Sequence, residues 1–364
     1  MSRPDVVIVG AGVIGCAIAW ELVKSGLRVT VVERGQPGCE ASGAAAGMLA
    51  AETAEGREGP YAMLARMSRD LYGPLADELR EASGVDIERQ TTGHLHLLSD
   101  ETEFNGHIPP GAELLSPEDV RRLEPAVSPR IRGAILFRGN HWVNNPRLVA
   151  ALVQAGSRRG VEFFLGSEVE EILGAGDRVG GVRGRNVTIE SGAVVVTAGA
   201  WCGMLRGLTP QLVVEPVKGQ MLAVETIPSV IRHCVYLDEV YLVPRPSGEL
   251  LIGATVERVG YDKRVTPEGL RWLLTEALAA VPALAHRPVL RNWAGLRPAA
   301  ADGLPVIGPW PGLRGCFVAT GHFRNGILLA PITAQLLREW VTGKRPALPV
   351  EPFLPDRLVS PTSS

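Results

Sequence analysis

The segment VVIVGAGVIG, residues 6–15, constrains this chain more than any other part of it. A β-branched run leads into three glycines spaced as GxGxxG. These open an apolar stretch of helical period, and Glu33 closes a second β-branched run after seventeen intervening residues. Each position has a mechanical task. Gly10 permits a tight turn, Gly12 lets the backbone approach a pyrophosphate, and Gly15 permits close packing of helix on strand. The helix N-terminus at Val13 and Ile14 favours the phosphate charge. Glu33 can accept from a ribose hydroxyl, and Arg34 follows it. The plain alternative is a glycine-rich turn, but strand, helix and terminal acid stand in register, which favours dinucleotide binding.

The unit reads as strand Asp5–Val9, helix Ile14–Ser25 ended by Gly26, and strand Val29–Glu33. Residues 61–82 read as one amphipathic helix. From Gly84 to Phe137 short strands alternate with proline-rich turns, and Ser116-Pro117-Glu118 signals a helix start; this stretch looks inserted. Asn145-Pro146 opens a helix to about Arg159, and strand-sized pieces follow near 162–165, 169–173, 179–183, 187–189 and 193–198. Residues 212–300 favour strands again, with the hairpin Tyr241–Pro246, Ser247-Gly248, Glu249–Thr255 and one helix at about 267–280. After a strand at 315–319, a last helix is expected at 327–342, ending at Gly343. Only Ser360 to Ser364 reads as disordered.

Composition narrows the function classes. With 364 residues and 46% hydrophobic content, the chain can build one large or two interwoven domains. The balance of 37 basic and 39 acidic residues, without a dense cationic run, gives no reason to expect nucleic acid or an anionic membrane as partner. Cys16, Cys39, Cys202, Cys234 and Cys316 are scattered, odd in number and never spaced as CxxC. That argues against a disulfide framework or zinc site and fits a reducing cytosol. No leader precedes the first strand, and no apolar stretch approaches the ~18 residues of a membrane span, so a cytoplasmic location is expected. The histidines show no metal pattern. His94 and His96 alternate on one strand face, His141 adjoins Trp142, and His107, His233 and His286 sit in loop-like sequence, so surface or ordinary polar roles are expected.

A second small-residue strip, EASGAAAGM at 40–48, follows the first unit directly. Backbone there can lie against a large flat ligand or its phosphates, which favours FAD over NAD. Seven blocks then occur in order: VVIVGAGVIG with Glu33, ASGAAAGML at 41–49, VVVTAGAW at 194–201, PVKGQML at 216–222, YLVPRPSGELLIGAT at 241–255, WAGLRPAAADGLPVIG at 293–308 and ATGHFRNGILLAP at 319–331. Over nearly its whole length the chain resembles the FAD-dependent D-amino-acid oxidase family, and within it the glycine oxidase branch associated with thiamine biosynthesis.

The resemblance implies an α/β fold: a doubly wound, Rossmann-like FAD-binding domain (1–84, 141–211 and 301–345) interwoven with a mixed-sheet α+β substrate domain (85–140 and 212–300), with 346–364 as a C-terminal tail. It implies further FAD contacts from Ala41, Ser42, Ala46, Gly47 and Met48, from Val169, Ala198, Gly199 and Trp201, and from His322, Phe323, Arg324, Asn325, Gly326, Ile327 and Leu328. Trp201 could equally be core, and Cys202 and Cys316 read as core thiols. Some related enzymes attach FAD through a cysteine in the block matching 293–303; this chain has none there, so non-covalent FAD is expected. A homo-oligomer, a tetramer in the family, is also implied.

Substrate binding is carried by the resemblance to Tyr241, Arg297 and Arg324. Arg297 lies in a Gly-Leu-Arg-Pro turn among apolar neighbours, where its planar fork suits a carboxylate. Tyr241 begins an alternating strand, so its ring can pack while its hydroxyl reaches the same carboxylate. The bland readings are an internal salt bridge and a core tyrosine. Glu239 and Val256 stand where glycine oxidases often have histidine and methionine; both are expected to line the pocket, and Glu239 is also placed to favour a substrate ammonium. Arg324 either touches the carboxylate or fixes its loop, its charge stabilised by the ligand or an adjacent acid.

No general acid or base is expected among the side chains. The implied activity is oxidation of a small amino acid or amine by hydride transfer to FAD, with molecular oxygen as acceptor and hydrogen peroxide as product. Glycine, sarcosine, N-ethylglycine and small D-amino acids differ by about a methylene, worth only ~1–3 kcal/mol of discrimination, so they are not separated. The rivals are a flavin dehydrogenase serving a quinone, a nicotinamide dehydrogenase and a flavin-binding protein without turnover.

Overall fold

A computed structural model describes residues 3–51, 59–99 and 108–358; His107 and the Ser360–Ser364 tail lie outside the described residues. The first strand, Val6–Val9, is buried along its whole length, as a strand with neighbours on both edges and helices or sheet on both faces must be. It sits inside a six-stranded sheet ordered Val306–Pro309, Cys316–Thr320, Ala193–Val196, Val6–Val9, Val29–Val32, Glu162–Phe164. Only Val306–Pro309 runs antiparallel to its neighbour. On one face the helix Val13–Lys24 packs against Asn145–Arg158 and the last helix, Gly326–Val341. On the other, a three-stranded sheet built from residues 169–190 closes a second core.

The second large sheet has eight strands, ordered Val289–Ala299, Glu215–Glu225, Glu249–Gly253, Val240–Pro244, Cys234–Leu237, His94–Leu98, Gly133–Phe137, Ala112–Leu115. One parallel pair, Cys234–Leu237 with His94–Leu98, joins the earlier excursion to the later one and makes the sheet mixed. Helix Pro267–Ala280 covers one face; Thr266 caps it by accepting from the Gly269 N–H. Ser116 caps Pro117–Leu123 in the same way, and Asn144 rather than Asn145 caps Asn145–Arg158.

Two expectations need correction here. The helix read over 61–82 is two helices, Pro60–Asp70 and Tyr72–Ser83, meeting at Leu71. Pro74 explains the break: it lacks an N–H and disfavours helical backbone at Gly73, so it fits only in the first turn of a new helix. Part of the C-terminal stretch is also packed rather than trailing, since Phe353 is fully buried against the nucleotide-side core.

The two sheets are held together by buried polar contacts. The Arg245 guanidinium, 7% exposed, donates to the carbonyls of Val143 (2.8 Å) and Ala46 (2.8 Å) and to Asn145 Oδ1 (3.0 Å). It thereby ties the hairpin of the eight-stranded sheet to the small-residue strip and to the start of helix Asn145–Arg158. Trp293 Nε1 donates to the Ala44 carbonyl at 3.0 Å from the opposite edge.

Candidate active site

Between the sheets lies a cavity of about 660 Å³ that runs from the first helix N-terminus to the face of the eight-stranded sheet. Its nucleotide end is made largely of backbone. Gly10 turns through φ +103°, and a Cβ on Gly15 would stand 2.0 Å from the Gly10 carbonyl oxygen, so only glycine allows helix and strand to meet this closely. Glu33 accepts from the Ala11 N–H and the Gly35 N–H, both at 2.8 Å, so its carboxylate braces the turn while lining the cavity. Ser42 Oγ accepts from the Val13 N–H at 2.9 Å, bringing the small-residue strip onto the helix N-terminus.

Arg34 lies over the Trp201 ring at 3.8 Å and pairs with Glu40 at 2.9 Å, and Lys263 of the substrate-side loop reaches the same carboxylate at 2.9 Å. Tyr261 from that loop donates to the Ala200 carbonyl at 2.9 Å. Residues 261–263 therefore strap the loop before helix Pro267–Ala280 across this end of the cavity.

The other end is built from side chains. Arg297, on Val289–Ala299, lies flat on the neighbouring strand because Gly219 has no side chain; a Cβ there would be 2.4 Å from the guanidinium. Its Nη1 donates to the Thr255 carbonyl at 3.0 Å and the Lys218 carbonyl at 3.4 Å. No acid forms an ion pair with it among the described residues. Burial, and then the nearby Arg324 charge, hold its pKa below the ordinary arginine value, while Tyr241 opposes that shift. Tyr241, opposite, has a hydroxyl 3.4 Å from Met221 Sδ, and burial raises its pKa. Arg324 does find an acid: its Nη2 is 3.4 Å from Glu239 Oε2, with side chains 42% and 67% exposed, at the rim.

Nearly all the candidate residues line this one cavity: Gly10, Gly12, Val13 and Ile14; Glu33 and Arg34; Ala41, Ser42, Ala46, Gly47 and Met48; Val169, Ala198, Gly199 and Trp201; His322 to Ile327; and Glu239, Tyr241 and Arg297. Three do not. Gly15 packs behind the turn, and Leu328, fully buried, faces the core of the last helix. Val256 points away and is 46% exposed, because Thr255 and Glu257 on either side of it turn inward to Gln220 and Lys218. It is not a pocket residue here.

Of the surface or ordinary polar roles expected for His94 and His96, the structure shows the second. His94 is fully buried with Nε2 3.1 Å from the His141 carbonyl, and His96 lines the cavity, its ring stacked on Tyr236 at 4.3 Å. Burial, reinforced by the neighbouring His96, pushes His94 down to about 3; burial alone brings His96 to about 4. His322, buried with Nε2 3.1 Å from Thr333 Oγ1, is pushed down to about 3. Neutral imidazoles are the consequence.

Sequence reading missed Tyr236, whose hydroxyl donates to Met48 Sδ at 2.7 Å, and Met221, both cavity-lining. The available signal was the His94/His96 alternation: once strand register pairs His96 with Tyr236 and Tyr236 with Tyr241, the three rings form one wall. Among the described residues, no cluster of three or more potential metal ligands is present and no helix is long and apolar enough to cross a membrane.

Comparison with known proteins agrees with this geometry. The family DAO, FAD dependent oxidoreductase, matches residues 5–340. Glycine oxidase of Pseudomonas aeruginosa is 37% identical over 357 residues, covering 96% of this chain and 98% of its own. Hydrogen cyanide synthase subunit HcnC of the same organism is 32% identical, covering 97% and 96%. The crystal structure of glycine oxidase from Geobacillus kaustophilus superposes with a TM-score of 0.91 at 36% identity, covering 97% of this chain and 98% of that one.

Proposed function

Because the chain belongs to the DAO family of FAD-dependent oxidoreductases, we propose that it oxidises glycine or another small amino acid or amine. It is an enzyme, and FAD is its cofactor. The residues present fit that group. A glycine turn and a helix N-terminus suit its pyrophosphate, Glu33 retains acceptor capacity for a ribose, and the strip of small residues at 41–47 leaves backbone bare along the cavity. No cysteine is among the lining residues, which supports non-covalent binding.

One observation carries the substrate reading: a buried guanidinium, with no acid paired to it among the described residues, faces a tyrosine hydroxyl at the far end of the cavity. An unpaired charge there is costly unless a ligand anion completes it. Arg297 and Tyr241 hold the carboxylate of the substrate, each charge-assisted hydrogen bond contributing about 1.5–3 kcal/mol. With that end fixed, the α carbon is presented to the strip-lined middle of the cavity, and orientation is the protein's main contribution. Tyr236, Met221 and the Met48 thioether exclude water around it. Bound FAD would supply the hydride acceptor, and dioxygen is the proposed final acceptor of the electrons.

The amine loses hydride from carbon and a proton from nitrogen, and water hydrolyses the imine. For glycine the balance is glycine, oxygen and water to glyoxylate, ammonia and hydrogen peroxide; an N-substituted substrate releases its parent amine. A place in thiamine biosynthesis follows the resemblance to that branch. The five free thiols, four of them buried, support a reducing cytoplasm as the location, and a homo-oligomer is the assembly proposed.

Anaerobic mixing of purified holoenzyme with glycine, sarcosine, N-ethylglycine and D-alanine tests this: the flavin should bleach, and oxygen should then restore it with release of peroxide. No bleaching with any of them refutes the reading. Bleaching without peroxide on re-aeration would favour an amine dehydrogenase serving another acceptor.

A further inference from the structure

The rim of the cavity carries a charge arrangement different from its depth. Glu239 sits in the two-residue turn between Cys234–Leu237 and Val240–Pro244, beside Asp238, and both acids line the cavity. Arg324 faces them from the turn before the last helix. Non-glycine residues with left-handed backbone are few, and two of them, Asp238 (φ +49°) and Phe323 (φ +48°), adjoin the paired residues on opposite sides of the mouth. Such conformations persist where the surroundings over-determine them. They aim Glu239 and Arg324 at each other.

Taken with the substrate seat at Arg297, on which this inference rests, the arrangement has a chemical meaning. Two arginines line the substrate end, but the Arg324 charge already has Glu239 at 3.4 Å, and Asp238 adds a second acid at the same mouth, in no ion pair among the described residues. The cavity therefore offers one place for a carboxylate. We infer that Glu239 selects substrate charge: it admits monocarboxylic amines whose other substituent is neutral or cationic, and it turns away those with a second carboxylate. A second carboxylate reaching the rim meets two acids and an arginine already engaged. A repulsive element of this kind is a common source of specificity, and the exposure of the Glu239–Arg324 pair means that it contributes little to stability.

The test is titration of the holoenzyme with acetate and with malonate, neither of which can be oxidised as an amine, followed by perturbation of the flavin absorption spectrum. Wild type should bind acetate roughly tenfold more tightly than malonate, and Glu239→Gln should narrow that ratio about fivefold or more. In turnover the same substitution should raise kcat/KM for N-(carboxymethyl)glycine relative to sarcosine. An acetate-to-malonate ratio that stays within twofold of wild type in Glu239→Gln overturns the assignment of Glu239 alone. Failure of wild type to bind acetate overturns the carboxylate seat and this inference with it.

Discussion

The two ends of the cavity are built by opposite means. At the nucleotide end the contact surface is backbone, and Gly10, Gly15 and Gly47 stand where a Cβ would strike another main-chain atom: 2.0 Å from a carbonyl oxygen at Gly15. At the substrate end the surface is side chains standing on a sheet, and the corresponding glycine, Gly219, makes room only for the movable tip of Arg297, 2.4 Å from its would-be Cβ. Fold and cofactor site are thus inseparable at one end, whereas at the other the chemistry can be altered with the fold left in place.

Substitutions should expose that asymmetry. The largest effect is expected for Gly15→Val, which must part the first helix from the first strand. The purified protein should lack flavin absorbance or fail to fold, and a yellow, stoichiometric holoenzyme would break the contrast. Arg297→Ala should keep its flavin yet lose roughly a hundredfold or more in affinity for acetate or substrate, the worth of two charge-assisted hydrogen bonds. Equal loss of flavin would make this end structural as well.

Acidification should then act on both ends at once. His322 on the nucleotide side and His94 in the substrate sheet are held near 3 by burial, well below the ~6.5 of an unfolded histidine. Between those values the unfolded chain binds more protons, so stability is complete above about pH 6.5 and declines as pH falls, by up to ~1.4 kcal/mol per pH unit for each histidine. Thermal melts at pH 7 and pH 5 should show one transition moving down; two separating transitions would mean that the halves unfold independently. The smallest effect is expected for Gly219→Ala: a tip displaced from its seat, about tenfold weaker acetate binding and an almost unchanged Tm. A large drop in Tm would show that the sheet cannot absorb the methyl group by moving Arg297.

The same asymmetry explains what could be read from the chain beforehand. Backbone-built surfaces leave glycines at fixed spacings, so the doubly wound nucleotide fold and its cofactor were legible from residues 6–33 and 40–48. The substrate end depends on strand register, which no local pattern states. Tyr236 and His96 become neighbours only through the parallel pairing of their strands, and the same pairing sets His94 beside Cys234. Val256 was carried to the pocket by the resemblance alone, and the break at Leu71 was hidden by an apolar period that runs through Pro74. The partner of Arg324 was readable as a class, an adjacent acid or a ligand. Its identity as Glu239 required the turn geometry on both sides of the mouth.

The origin of the cavity walls has a consequence for how the protein is made. Lining residues come from 9–50, 96, 167–206, 219–254 and 295–327, so a chain still emerging from the ribosome presents a crevice with missing sides until its final helix begins. Secure capture of the cofactor accordingly waits for the segment 295–327. Colour in a preparation then reports that synthesis passed that segment, and products terminated before it should sort away as colourless, protease-sensitive material.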